Sequence, residues 1–261
     1  MVEAEDIHVS LGTRHVLKGV QFAAQPGHLT AVVGPNGSGK TTLLRVLTGD
    51  LDYAGVVRIN GSDLRSYKPW TLAARRGVLP QSARLAFPFT VQEVVRLGLS
   101  SGLAAGQASL VSEALNRVGL SGFEGRFYQE LSGGEQQRAQ LARVLVQVWH
   151  PVTEGVPCWL FLDEPVASLD IGQQLEVMQL AKRYAQSGGG VIAVMHDLNL
   201  TAMYADRVAL LTDGDLVHQG APAEVFTDET LSAAYGCALR VNTPPDETRT
   251  YILPHTASLR S

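Results

Sequence analysis

Residues Gly34–Thr41 read GPNGSGKT. The run matches G-x-x-x-x-G-K-[ST], and its context matches too. An apolar stretch, Leu29–Val33, leads into it, and a helical pattern over Thr41–Leu47 leads out, with Leu43, Leu44 and Leu47 on one face. Gly34, Gly37 and Gly39 let the backbone wrap closely around phosphates. The N–H groups of Pro35-Asn36-Gly37-Ser38-Gly39, proline excepted, and the helix start favour negative charge. Lys40 is placed to reach the β- and γ-phosphates, the Thr41 hydroxyl to ligate Mg²⁺, and Thr42 to donate to the α-phosphate. Nucleotide binding is the expectation from this stretch.

Working outward, the bulk properties narrow the class. The chain has 261 residues, 45% of them hydrophobic, enough for one large α/β domain. Its formal net charge is −4, so no basic field is expected to hold nucleic acid or an anionic membrane. The only lysines are Lys18, Lys40, Lys68 and Lys182, which makes a lysine in the glycine loop stand out. Cys158 and Cys237 lie in unrelated contexts and suggest neither a disulfide framework nor a metal site. No apolar run approaches the ~18 residues of a membrane span, and MVEAEDIHVS is no signal peptide. The expectation is a soluble protein inside the cell, reaching a membrane only through a partner.

Along the chain, Asp6–Ser10, Val20–Ala24 and Leu29–Val33 read as strands, and Val56–Ile59 as a strand entering the Asn60-Gly61 turn. A helix-rich middle follows, with helical periods over Val91–Leu97, Ala108–Val118 and Glu135–Trp149. The α/β pattern then resumes. Trp159–Leu162 and Val191–Met195 are short apolar runs suited to buried parallel strands, and Ile171–Ala185 between them is helical. Two strands about Asp213-Gly214 and short helices near Ala223 and Leu231 complete the reading.

Four further places carry chemistry. WLFLDEP, Trp159–Pro165, ends an apolar strand in two carboxylates. Beside a phosphate loop, Asp163 completes a Mg²⁺ shell and Glu164 suits a general base for water. Gln81 follows the strand Gly77–Leu79, and His196 follows Val191–Met195, so both emerge at the carboxyl edge of one sheet, where phosphate ligands bind. LSGGEQQR, Leu131–Arg138, places paired glycines after a serine at a helix start, a second device for bringing N–H groups to an anion.

In this order GPNGSGKT, Gln81, LSGGEQQR, WLFLDE, Ser168-Leu169-Asp170 and His196 resemble the nucleotide-binding subunit of ATP-binding-cassette (ABC) transporters, over about Ile7 to Tyr235. The resemblance implies an α/β fold: a P-loop NTPase core with a parallel-sheet RecA-like lobe, an N-terminal antiparallel β subdomain and an inserted α-helical subdomain. One ATPase domain would fill 1–261, with 1–81 and 150–261 as nucleotide-binding core and about 82–149 as helical subdomain bearing the signature. ATP and Mg²⁺ are the implied cofactors, with Thr41, Gln81 and Asp163 around the metal. Lys40, Gln81, Glu164 and His196 are the implied catalytic set. His196 would contact the γ-phosphate, and Gln81 would sense Mg²⁺ and the attacking water. Ser132, Gly133 and Gly134 would grip the γ-phosphate bound by a second copy in a head-to-tail homodimer, with Asp170 at the seam. The implied partners are that second copy, a transmembrane permease dimer and, indirectly, a periplasmic substrate-binding protein, with no nucleic acid. The implied location is the cytoplasmic face of the inner membrane.

SARLAFPFTVQEVVRLGL after Gln81 and the long QVWHPVTEGVPCWLFLDEP resemble the ATPases of bacterial haem importers. Haem is thus the expected cargo, with cobalamin or a ferric siderophore as the alternative. A soluble ABC ATPase acting on DNA or ribosomes is the reading from another class, and it lacks the long inserts or second cassette such proteins show. Phe87 and Phe89 read equally as helical-lobe core or as an apolar patch for a permease helix, and His150 as loop surface. The sequence departs from the family at the adenine-stacking place, where Leu11 stands instead of an aromatic residue, with His15 nearby. Weak discrimination of ATP from GTP is expected there. Val166 stands where threonine is common.

Overall fold

The computed structural model describes residues 1–82, 87–101, 109–245 and 250–257. Within the loop after Gln81, residues 83–86 lie outside the described residues, as does Ala108 at the start of an expected helix. In chain order the elements are β1 Val2–Leu11, β2 Arg14–Ala24, β3 Leu29–Val33, α1 Lys40–Thr48, β4 Ala54–Ile59, β5 Ser62–Asp63, α2 Pro69–Ala73, β6 Arg76–Leu79, α3 Val91–Ser101 and α4 Ser109–Arg117. There follow α5 Gly133–Gln147, β7 Val152–Thr153, β8 Val156–Pro157, β9 Trp159–Asp163, α6 Ile171–Gln186, β10 Gly190–Val194, α7 Leu198–Tyr204, β11 Arg207–Thr212, β12 Asp215–Gly220, α8 Pro222–Val225 and α9 Asp228–Tyr235.

Two sheets carry the architecture. A six-stranded sheet has the order β12-β11-β3-β10-β9-β6, parallel throughout except for the β11–β12 edge pair. A four-stranded antiparallel sheet has the order β2-β1-β4-β5. This is the α/β fold expected, with its N-terminal antiparallel sheet. β3, which follows β1 and β2 in the chain, leaves that sheet and joins the parallel one.

The apolar runs of the parallel strands are explained by burial on both faces. Every residue of β3, β9 and β10 is buried. Leu29, Ala31, Leu160, Leu162, Val191 and Ala193 face a core shared with α3, α4, α5 and α6. Val32, Trp159, Phe161, Ile192 and Val194 face the opposite core, shared with α1 and the antiparallel sheet. Alternation along each strand thus feeds two cores, so polar residues are excluded until the strand ends. α3 and α4 pack on α5, and α5 packs on β6.

The register fixes where the polar strand ends emerge. One row across the sheet runs Val32, Val194, Asp163, and the row before it runs Ala31, Ala193, Leu162, Leu79. Parallel strands all finish at the same edge. Gly34, Gln81, Glu164 and His196 therefore follow within two residues of that edge, from four different strands.

Helix ends obey capping chemistry. Ser132 and Glu135 form a reciprocal capping box at the start of α5, and Asp170 caps α6 by accepting from Gln173 N. The Glu135 carboxyl is held below its ordinary value by its bonds to Ser132. The long segment before β9 is a hairpin, β7–β8, turned by Glu154-Gly155 with φ of 55° and 73°. It precedes Trp159, at the opposite edge of the sheet from Glu164. Phe89 packs partly buried against the core, while Phe87 is 67% exposed. His150 is exposed loop. Among the described residues, no helix is long and apolar enough to cross a membrane.

Candidate functional site

The site begins where β3 ends. Gly34 takes φ 146°, Gly37 79° and Gly39 105°, backbone that side chains with a Cβ rarely adopt. At Gly34 a Cβ would lie 2.0 Å from Leu211 O, so the loop is pressed against β11 and only glycine fits. Gly39 caps α1 in the left-handed conformation, and α1 then starts at Lys40. Lys40 is buried at 6% exposure, its Nζ donating to Gly34 O at 2.8 Å and Pro35 O at 2.9 Å. Burial pushes the ammonium down, and Glu164 and Asp163 pull it back up. The cation is curled within its own loop, held by two carbonyls.

Thr41 Oγ1 donates to Asp163 Oδ1 at 3.2 Å, tying the start of α1 to the end of β9. Burial raises the Asp163 carboxyl above its ordinary value, against the pull of the Thr41 hydrogen bond. A buried carboxylate beside a hydroxyl is a pair of hard oxygen donors of the kind divalent cations take. One residue on, Glu164 turns to φ 52°, a left-handed backbone costing a non-glycine residue roughly 1–2 kcal/mol. Its carboxylate meets His196, whose Nε2 lies 2.6 Å from Glu164 Oε1.

These groups surround an open cleft of about 370 Å³. The glycine loop and α1 supply Asn36, Gly37, Gly39, Lys40, Thr41 and Thr42. Gln81, Glu164 and His196 close the opposite wall. Asp163 lies in an adjoining cavity of about 340 Å³, to which Thr41 and Gln81 also contribute. Gly34 and Ser38 are buried behind the loop and Pro35 is half-buried, so these three support the cleft without walling it.

The third wall, from β1 and β2, is formed by Leu11, Arg14 and Val16. Leu11 was legible as the residue at the adenine place; Arg14 and Val16 were not. Their signal was the two-residue spacing that puts both on one face of a strand just after the Gly12-Thr13 turn. Arg14 Nη2 reaches Gly37 O at 3.4 Å, across the cleft mouth. His15 points elsewhere, its ring 6.3 Å from that of His8.

The signature residues sit apart from this cleft. Ser132 and Gly133 are exposed and Gly134 half-buried, at the open N-terminus of α5. Ser132 N and Oγ both donate to Glu135 Oε2 at 2.7 Å. A Cβ on Gly134 would lie 3.1 Å from Ser168 O, so the helix start abuts Ser168-Leu169-Asp170, and Asp170 is exposed beside it. The structure therefore gathers the predicted residues into two groups: a cleft at the sheet edge, and an exposed ridge made by the starts of α5 and α6.

Residues 17–167 match the family model described as ABC transporter. A hemin import ATP-binding protein of Jannaschia sp. is 65% identical over 98% of this chain and 95% of its own. Its counterparts in Roseobacter denitrificans, at 61% over 98% of each chain, and Rhizobium johnstonii, at 54% over 100% of each, are also similar. A dimeric ATP-binding cassette solved with ADP and Pi after hydrolysis superposes with a TM-score of 0.73 at 26% identity, over 85% of this chain and 99% of that one. An Atm1-family ABC exporter with ATP bound gives 0.76 at 27%, over 89% and 40%. Matched by that family model over more than half its length and by these relatives over nearly all of it, the chain belongs to the ABC transporter family.

Proposed function

We propose that this chain is the ATP-hydrolysing subunit of a bacterial ABC importer that takes up haem. The observation that carries the catalytic half is the Glu164–His196 pair at 2.6 Å, facing Lys40 across a cleft floored by the glycine loop. Lys40 and the loop N–H groups bind the β- and γ-phosphates. The Glu164 carboxylate, aimed by its left-handed backbone, takes the proton from the attacking water. His196 holds that carboxylate and contacts the γ-phosphate, and Gln81 orients the water. The oxygen donors of Asp163, Thr41 and Gln81 fit a hard divalent cation, and they would hold Mg²⁺, which when bound neutralises charge on the transferred phosphoryl group.

The ridge of Ser132, Gly133 and the half-buried Gly134 completes the site of a second copy. Two chains head to tail enclose two nucleotides, and hydrolysis releases the closure. Residues 1–81 and 150–261 act as nucleotide-binding core and about 82–149 as the helical subdomain. A transmembrane permease dimer at the inner membrane holds the chain on its cytoplasmic face, and a periplasmic binding protein delivers cargo to that permease. Haem is favoured over cobalamin or a siderophore because relatives named for hemin import match at 51–65% identity over nearly the whole chain.

The test is uptake. The subunit is reconstituted with its permease in vesicles, given ATP, and offered haem, cobalamin and a ferric siderophore in turn. ATP-dependent entry of haem alone is the expected result. Entry of cobalamin or siderophore instead would overturn the cargo and leave the ATPase reading standing.

A further inference from the structure

We infer that Gln137, inside the signature helix, is a positioning residue for the Glu164 carboxylate of its own chain. The inference rests on the reading of Glu164 as the base and adds a residue that the motif readings leave without a role. Glu164 holds a left-handed backbone at φ 52°. A residue with a Cβ stays in that region only when its surroundings over-determine it. Its N–H donates to Val194 O at 3.2 Å, and its carbonyl accepts from Ala167 N at 3.3 Å. The shortest of its backbone contacts is Gln137 Nε2 to Glu164 O at 2.8 Å, partly buried. It is also the one that reaches the turn from the helical layer.

The placement of α5 makes this contact rigid. Gly134, three residues earlier on the same helix face, lies close against Ser168 O, which brings α5 within reach of the turn. Further along, Arg143 Nη2 donates to Val78 O at 3.2 Å, on the strand that leads to Gln81. From the other side, Gln174 of α6 donates to Val166 O at 3.3 Å and Leu169 O at 3.0 Å. The turn carrying Glu164 is thus tacked down by amides from two helices. Without the Gln137 donor, the Glu164 carbonyl keeps only the longer bond from Ala167 N, and the carboxylate loses part of its fixed aim beside His196. A consequence follows for the dimer. The helix that presents Ser132 to the neighbouring copy's nucleotide also holds the base of its own site, so engagement at one site is felt at the other.

The test begins with Gln137→Met, which keeps length and packing and removes the donor. The expected result is a kcat lower by about 10- to 100-fold, the scale of a misplaced reacting group. ATP affinity of the single chain stays at the wild-type value, and the melting temperature falls by no more than the few degrees that one lost hydrogen bond costs. Wild-type kcat, or a loss of ATP affinity matching the loss of kcat, overturns the inference. Gln137→Lys retains a donor and is expected to recover part of kcat, whereas Gln137→Glu, which faces a carbonyl with an acceptor, is not. That pair makes the same comparison if Gln137→Met does not fold.

Mixed dimers locate the effect. One chain carrying Glu164→Gln is paired with one intact chain, so that a single working base remains. Gln137→Met should cost more when placed in the chain with intact Glu164 than when placed in its neighbour, and equal or reversed losses overturn the inference. The Glu164→Gln homodimer separates the two readings. If it turns over ATP at the wild-type rate, the base assignment fails. If it is inactive while Gln137→Met matches wild type, the positioning role alone fails.

Discussion

The two anion grips of this chain are built in opposite ways. The glycine loop is finished inside one chain: Lys40 is buried, its ammonium is held by two carbonyls, and the loop is wedged against Leu211. The signature grip is left open. Ser132 and Gly133 are exposed, and the serine hydroxyl is spent on its own capping box with Glu135. A helix start in water is screened and satisfied by solvent. It becomes a strong anion site only when a second surface excludes that water. The difference teaches that one grip is complete within a single chain, whereas the other is left open to a covering surface.

The largest effect that tests this contrast is expected at the chemical step. Glu164→Gln should retain ATP binding and lower turnover by about 10²- to 10⁴-fold, the range of general-base catalysis. Steady-state hydrolysis and equilibrium binding, measured on the same preparation, check it, and near wild-type turnover would remove Glu164 from its role. Next in size is Ser132→Arg. A bulky cation on the exposed ridge should abolish ATP-dependent dimerisation, seen by light scattering with the Glu164→Gln background to prevent hydrolysis. ATP binding by the single chain should persist. Loss of binding in the monomer would mean that the two grips are not separate.

A smaller effect concerns Asp163, whose carboxyl is raised by burial. In the nucleotide-free chain the protonated form is favoured by folding. Its burial therefore weighs against the fold increasingly as pH rises from the ordinary value of 3.8 through the raised folded one. Asp163→Asn should raise the melting temperature of the apo protein at neutral pH, with the gain fading toward pH 3.8, while hydrolysis is lost. A lower melting temperature at neutral pH would show that the carboxylate is already compensated without a cation. The smallest expected effect is at the base pocket. Leu11, Arg14 and Val16 offer aliphatic and guanidinium surface with no aromatic ring, so ATP and GTP should be hydrolysed at comparable rates. A large preference for ATP would place a base-reading contact elsewhere on that wall.

Much of the site was legible because its residues follow apolar strands directly. Asp163 and Glu164 end WLFLDEP, His196 follows VIAVM, and the glycine loop follows LTAVV; strands that bury both faces push their polar residues to the ends. Arg14 and Gln137 were hidden for a different reason. Arg14 falls between the two strands read from the sequence, and Gln137 reads as one more polar position on a helix. Only the crossing of β2 over the loop, and of α5 over the Glu164 turn, gives them neighbours. The long segment before β9 showed in the sequence as an extension, yet its place as a hairpin at the far edge of the sheet did not.

By itself the sequence determined the local devices: the glycine loop, the capping box, the acidic strand end, and the periodicities that separate strands from helices. These depend on residues within a few positions of one another, where backbone freedom and hydrogen-bonding groups are read directly. The tertiary structure alone decided the rest. It sent β3 out of the antiparallel sheet into the parallel one, set the register that brings Gly34, Gln81, Glu164 and His196 to a single edge, and turned Glu164 into the left-handed region against Gln137. Those outcomes are fixed by which faces bury against which, and contacts between residues far apart in the chain leave no periodic trace in it.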